Sequence, residues 1–293
     1  MSFSTWSALL AAVALVVIVL LKPDPLPDSF FDGLTGDVDR GALVFAAAGC
    51  ASCHTAPDAE PSDAPVLAGG RTFASPFGTF VAPNISSGSR GLGTWSDIDI
   101  ANAILLGEGP DRTHLYPALP YAAYRNMTRQ DAYDLIAYLR TLPSAITPNQ
   151  PHDVGFPFNI RLGIGVWKTF FNQGEWVLET VQTAEIERGR YLFEVLGHCG
   201  ECHTPRNFMG GLDRKRWLGG APNPAGKGQI PNITSGKLGW SKDEIVDFLK
   251  SGFTPEFDSA GGQMAEVIAG LSKLPQSDLE AIAAYLKAVP ALD

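Results

Sequence analysis

The chain has 293 residues, 45% hydrophobic and 18% charged, which is enough for two domains that each bury a core. Its net charge of −9 leaves no basic excess to neutralise phosphates, so nucleic acid is not an expected partner. The 31 glycines and 22 prolines point away from long sheets and bundles and toward loop-rich domains.

Phe3 to Leu21, FSTWSALLAAVALVVIVLL, is uncharged and close to the length that crosses a hydrocarbon core. No basic residue precedes it and no small-x-small site follows it before Lys22-Pro23-Asp24-Pro25, so residues 1–22 are expected to be an uncleaved anchor rather than a removed signal peptide. Residues 23–37 then read PDPLPDSFFDGLTGD, an acidic Pro/Gly-punctuated tether expected to be extended and exposed.

From there the chain is written twice. Arg40-Gly41 returns as Arg188-Gly189, Cys50 as Cys199, Pro83-Asn84-Ile85 as Pro231-Asn232-Ile233, Trp95-Ser96 as Trp240-Ser241 and Ala137-Tyr138-Leu139 as Ala284-Tyr285-Leu286. Their order is kept and the offset drifts only from 145 (240 − 95) to 149 (199 − 50), which indicates a duplicated unit with small loop insertions. The two units are placed at 38–145 and 185–293, with a linker at 146–184.

Each unit should open with a short helix near its Arg-Gly pair and pass through a long Gly/Pro-rich stretch. A middle helix should follow, capped by Ser96 or Ser241 with acids in its first turn. The last helix follows Thr128 in the first unit, with Ala132, Leu135, Ile136 and Leu139 on one face, and opens at Gln276 or Ser277 in the second, with Leu279, Ile282, Ala283 and Leu286. Pro143 and Pro290 end these helices. Little alternates with period two, so the fold class is mainly α with long loops. The linker carries an apolar run, Ile160 to Phe171, read as a helical strap packed on both units. Its aromatics (Phe156, Phe158, Trp167, Phe170 and Phe171) either cover the junction or face a partner.

All four cysteines sit in two copies of C-x-x-C-H-T, at Cys50-Ala51-Ser52-Cys53-His54-Thr55 and Cys199-Gly200-Glu201-Cys202-His203-Thr204. Zinc would need the pairs closer in sequence and has no use for a histidine directly after each, and a redox disulfide would leave that histidine idle. Covalent haem attachment uses every residue: cysteines at i and i+3 reach two vinyl groups from one side of a helical turn, and the histidine at i+4 ligates the iron. Two covalently bound haem c groups are therefore expected, held by Cys50, Cys53, Cys199 and Cys202 with His54 and His203 as axial ligands. Attachment of this kind happens outside the bacterial cytoplasmic membrane, which places the body on the periplasmic side.

A second axial ligand remains to be found. Beyond residues 1–22 the methionines are Met127, Met209 and Met264, and outside the motifs the histidines are His114, His152 and His198. Met264, in the loop SAGGQMAEVI before the last helix, can reach the face opposite His203, whereas Met209 is too close in sequence to do so. The first unit breaks the pattern. Met264 follows Trp240 by 24 residues (264 − 240), and the same step from Trp95 reaches Leu119. Met127 is the nearest substitute, but it corresponds to Leu274, an apolar staple position before the helix. Ligand and staple both stand for Met127; His114 as a second imidazole and a five-coordinate iron are the other readings.

The phrases RGALVFAAAGCASCHT, FGTFVAPNIS, GLGTWSDIDI and HLYPALPYAAYRNMTRQDAYDLIAYLRTLP in the first unit, with ERGRYLFEVLGHCGECHTPRN, KGQIPNITSGKLGWSKDEIVDFLKSGFTP, GGQMAEVI and AIAAYLKAVP in the second, resemble the multihaem cytochrome c subunits of periplasmic alcohol, sugar-acid and aldehyde dehydrogenases. The resemblance runs from about Arg40 to Pro290 and implies two tandem class I cytochrome c domains behind an N-terminal transmembrane helix. It implies Met264 as a distal ligand. Where that family often has A-M-P-Y in its first domain, this chain has Ala118-Leu119-Pro120-Tyr121.

The function expected is electron transfer by a membrane-anchored dihaem cytochrome, not an enzyme by itself, from a donor, which the resemblance implies is a dehydrogenase, or from another redox protein, to a respiratory or photosynthetic acceptor. The alternative is a dihaem enzyme, a peroxidase or thiosulfate-oxidising cytochrome with an open or unusually ligated first haem. Arg214-Lys215-Arg216 with Lys227 forms a basic patch read as solvated surface, with partner docking or contact with a haem propionate as its sharper alternatives.

Overall fold

The computed structural model describes Trp6, Leu21 and residues 24–293 apart from Ala225 and Lys227. The expected anchor therefore lies almost wholly outside the described residues, as does Lys227 of the basic patch. Among the described residues no helix is long and apolar enough to cross a membrane.

The structure is mainly helical. The first repeat contains α1 (Val38–Ala47), α2 (Cys50–His54), α3 (Asp97–Ala101) continuing as a π-helical turn to Leu106, α4 (Tyr121–Tyr124) and α5 (Arg129–Thr141). The linker holds α6 (Leu162–Phe171). The second repeat contains α7 (Ala184–Arg190) continuing as a π-helical turn to Leu196, α8 (Gly200–His203), α9 (Lys242–Ser251), α10 (Gln263–Leu271) and α11 (Gln276–Ala288). Two short antiparallel hairpins, β1 (Thr72–Ser75) with β2 (Gly78–Val81) and β3 (Ala221–Pro222) with β4 (Gln229–Ile230), lie in the Gly/Pro-rich stretches. Pairs this short show no alternation long enough to read in a sequence.

Local chemistry sets the helix starts. Ser96 and Ser241 form full capping boxes with Asp99 and Glu244. The opening helices start before the Arg-Gly pairs, because Asp37 and Thr183 accept the N–H groups of Arg40 and Ile186.

In each repeat the first and last helices cross at a glycine. A Cβ on Gly41 would lie 2.0 Å from the carbonyl oxygen of Asp134, and one on Gly189 would lie 1.9 Å from that of Ala281. The crossing is further tied at buried Asp134, which receives Arg40 Nε at 2.8 Å and the Asp37 N–H at 2.7 Å. In the second repeat that position is Ala281, and Arg188 instead makes a two-pronged bond to Asp278 at 2.9 and 2.8 Å.

The segment expected as an exposed, extended tether is docked. Leu26 N–H donates to Asn102, Phe31 stacks on Tyr133 with ring centroids 4.5 Å apart, and Arg129 donates to the Phe30 carbonyl. Its Leu and Phe residues have an apolar face of the first repeat to cover, which outweighs the acidic, proline-rich character around them. The α6 strap meets both repeats: Lys168 Nζ reaches the carbonyls of Leu106 and Gly107 at 2.6 and 2.9 Å, while Trp167 Nε1 donates to the Met209 carbonyl at 3.0 Å. Phe171 lies against Gly211, whereas Phe156, Phe158 and Phe170 are exposed.

Candidate functional site

Both C-x-x-C-H strings begin a short helix. Gly49, at φ 60, turns the chain into α2, and the first turn ends at Thr55, whose hydroxyl donates to the Ala51 carbonyl. None of the four cysteines is joined in a disulfide. Burial pushes the first thiol of each pair, Cys50 and Cys199, up to about 12, with Cys53 and Cys202 pushing the same way. Before haem attachment these thiols are neutral at neutral pH.

The histidines are oriented alike. His54 Nδ1 lies 2.9 Å from the carbonyl of Pro83, and His203 Nδ1 lies 2.9 Å from that of Pro231. A carbonyl only accepts, so Nδ1 carries the proton in each ring and Nε2 keeps its lone pair. Burial also lowers both rings below the usual imidazole range, against the opposing pull of the proline carbonyl. Neutral imidazole with one fixed nitrogen is the form that binds iron. The donor set of each repeat thus fits a covalent haem: two unpaired thiols and an oriented imidazole on one turn.

The repeated Pro-Asn-Ile supplies this orientation. Its role was not read from the sequence, although its duplication marked it. The adjacent asparagines lock the loop to the chain beyond the last helix: Asn84 Nδ2 donates to the carbonyls of Ala145 and Thr147, and Asn232 Nδ2 to that of Leu292.

The two motifs approach each other back to back. The carbonyl of Ala48 accepts from Tyr124 Oη at 3.1 Å and faces His198 Nε2 at 3.3 Å; the two rings meet edge-on at 5.5 Å. Helix α10, which carries Met264, packs on α1 and α2 of the first repeat, and α4 packs on the Tyr191–Leu196 turn of the second. Arg71 Nη1 bridges to both carboxylate oxygens of Glu266 at 2.7 Å, next to Cys53. Burial raises the Cys202 thiol, and Cys53 of the other repeat adds to that rise.

The distal candidates are placed as follows. Met264 lies in the first turn of α10, half-buried against the core. Met127 is 6% exposed within the core, in the turn before α5. His114 is buried with both nitrogens occupied: Nδ1 lies 3.0 Å from Lys168 Nζ and Nε2 lies 2.7 Å from the Leu21 carbonyl. Leu119 is half-buried against the core just before α4. Met209 is partly exposed, and His152 Nδ1 accepts the Val81 N–H.

Residues 38–143 match the cytochrome c family, and residues 184–286 match the cbb3-type cytochrome c oxidase subunit III family. The chain is 50% identical over 293 residues to a dihaem cytochrome c-type protein of Cereibacter sphaeroides, covering 98% of this chain and 99% of that one. This chain is a dihaem c-type cytochrome. The cytochrome is also 35% identical to the fructose dehydrogenase cytochrome subunit of Gluconobacter japonicus, over 96% of this chain and 60% of the subunit. It is 33% identical to the alcohol dehydrogenase (quinone) cytochrome c subunit of Gluconobacter oxydans, over 87% of this chain and 55% of the subunit. It thus spans little more than half of these two relatives. The cytochrome binds two haem c groups covalently and serves in electron transfer rather than catalysis by itself.

Proposed function

We propose that this cytochrome relays electrons on the periplasmic side of the bacterial cytoplasmic membrane, from a dehydrogenase to a respiratory or photosynthetic acceptor, held at the membrane by residues 1–22. Each bound haem would supply a one-electron iron couple. Cys50 and Cys53 would fix the first haem, in the domain at 38–145, and Cys199 and Cys202 the second, in the domain at 185–293. His54 and His203 would hold the irons, and Met264 would give the second a thioether, a ligand that raises the potential.

The observation that carries this reading is the direct contact of the two attachment segments at Ala48, Tyr124 and His198, inside one shared core. A relay needs its two centres close, and these residues hold the two segments in contact. The dehydrogenase donor is supported by the printed names of the Gluconobacter relatives.

Two measurements test the reading. The purified cytochrome should be reduced rapidly at both haems by an alcohol or sugar dehydrogenase, with no turnover of peroxide or thiosulfate. Peroxide turnover by the isolated chain would favour the dihaem enzyme instead. Redox titration of Met264→Ala should show one potential lowered and the other unchanged; two unchanged potentials would remove Met264 as a ligand.

A further inference from the structure

We infer that the iron held by His54 has no distal ligand among the described residues, so that the first haem is a binding site for small exogenous iron ligands such as carbon monoxide. This rests on the reading of both motifs as haem-attachment sites.

The two repeats can be aligned on backbone geometry alone. Gly107 and Gly252 each end the middle helix in the left-handed region, at φ 63 and 80. Each carbonyl then accepts an N–H from the returning chain, Leu115 to Gly107 at 2.7 Å and Ala260 to Gly252 at 2.8 Å. The bridges Glu108–His114 and Phe253–Ser259 close the same turn in both. Every one of these pairs is 145 residues apart (252 − 107, 260 − 115), and the same step carries Met264 back to Leu119. Both side chains lie half-buried against the core. A leucine has no lone pair to offer iron.

The alignment also accounts for Met127. The end of α10 lies seven residues past Met264 (271 − 264) and the end of α4 five past Leu119 (124 − 119), so the offset becomes 147 by the next turn. There Met127 N–H donates to Tyr124 at 2.8 Å and Leu274 N–H donates to Leu271 at 2.9 Å, the same turn in both repeats. Met127 and Leu274 are 6% and 7% exposed, both inside the core. Met127 therefore fills the position that leucine fills in the second repeat, and it does so as packing. His114 falls opposite Ser259, and its two nitrogens are held by Lys168 and the Leu21 carbonyl.

Pyridine haemochrome analysis of the intact dihaem protein comes first, and a count other than two would refute the attachment reading itself. Given two haems, the dithionite-reduced protein should bind one carbon monoxide per two haems. The oxidised protein should show one methionine-to-iron charge-transfer signal in near-infrared magnetic circular dichroism. Met127→Leu should leave both results unchanged, Met264→Leu should double the carbon monoxide bound, and Leu119→Met should abolish its binding and double the near-infrared signal. Native protein that binds no carbon monoxide, a bis-imidazole EPR signal, or a near-infrared signal halved in Met127→Leu would each overturn the inference.

Discussion

Gly41 and Gly189 show how single atoms set this fold. Each lets a helix backbone approach the carbonyl of the last helix to a separation that no Cβ tolerates. Gly41→Ala and Gly189→Ala should each destabilise by about 1–3 kcal/mol, because overpacking must push the crossing helices apart. Urea midpoints measured on each variant check this, and an unshifted midpoint in either would show that the crossing can give. The Arg-Gly pairs were legible as repeated landmarks, but their reason was not. It depends on Asp134 and Ala281, more than ninety residues further along the chain (134 − 41, 281 − 189). The same holds for His54 and His203: the motif singles out the histidine, and only the fold shows which proline carbonyl fixes its ring.

At the scale of elements, α6 is the piece the sequence described least. Its apolar run predicted a helix, and the helix is there. Its polar insertion was not foreseen: Lys168 enters the first repeat, donates to two carbonyls and to His114, and lies 4.9 Å over the ring of Tyr121. Burial lowers Lys168 from 10.5 to about 8, with Glu108 opposing. Below about 8 the ammonium is charged in the folded and unfolded chains alike, and the full burial cost is present. Between about 8 and 10.5 the unfolded chain keeps a proton that the folded chain has shed, so this group makes stability rise with pH across that window. The Tm of the native protein, taken relative to Lys168→Met, should climb from pH 8 to pH 10. A flat difference would mean that the ammonium keeps its proton when buried.

On the scale of the whole molecule, the two repeats share one apolar core. It runs from Val44 and Phe45 through Leu135 and Ile136 to Leu192, Phe193, Ile282 and Tyr285 without a break. Gly270 fits against the carbonyl of Ala46, which leaves no layer of water between α10 and α1. Calorimetry should therefore record a single cooperative transition for the haem-loaded protein, with equal calorimetric and van't Hoff enthalpies. Two separable transitions would show that the repeats fold independently and meet only afterwards. Arg71 and Glu266 cross the same junction at partial exposure, and removing that pair should cost no more than about 1 kcal/mol.

The sequence alone determined the duplication, the mainly helical class, the capped starts of the middle helices, both haem-attachment motifs and the gap at Leu119. All of these are local patterns, or comparisons of one half of the chain with the other, and they need no knowledge of distance. Tertiary structure decided what packs on what: the docked segment before α1, the strap lysine, the proline carbonyls behind His54 and His203, and the contact of Ala48 with Tyr124 and His198. These pairings join residues far apart in the chain. A sequence lists the groups that need burial or a partner, and only the closed core decides which of them meet.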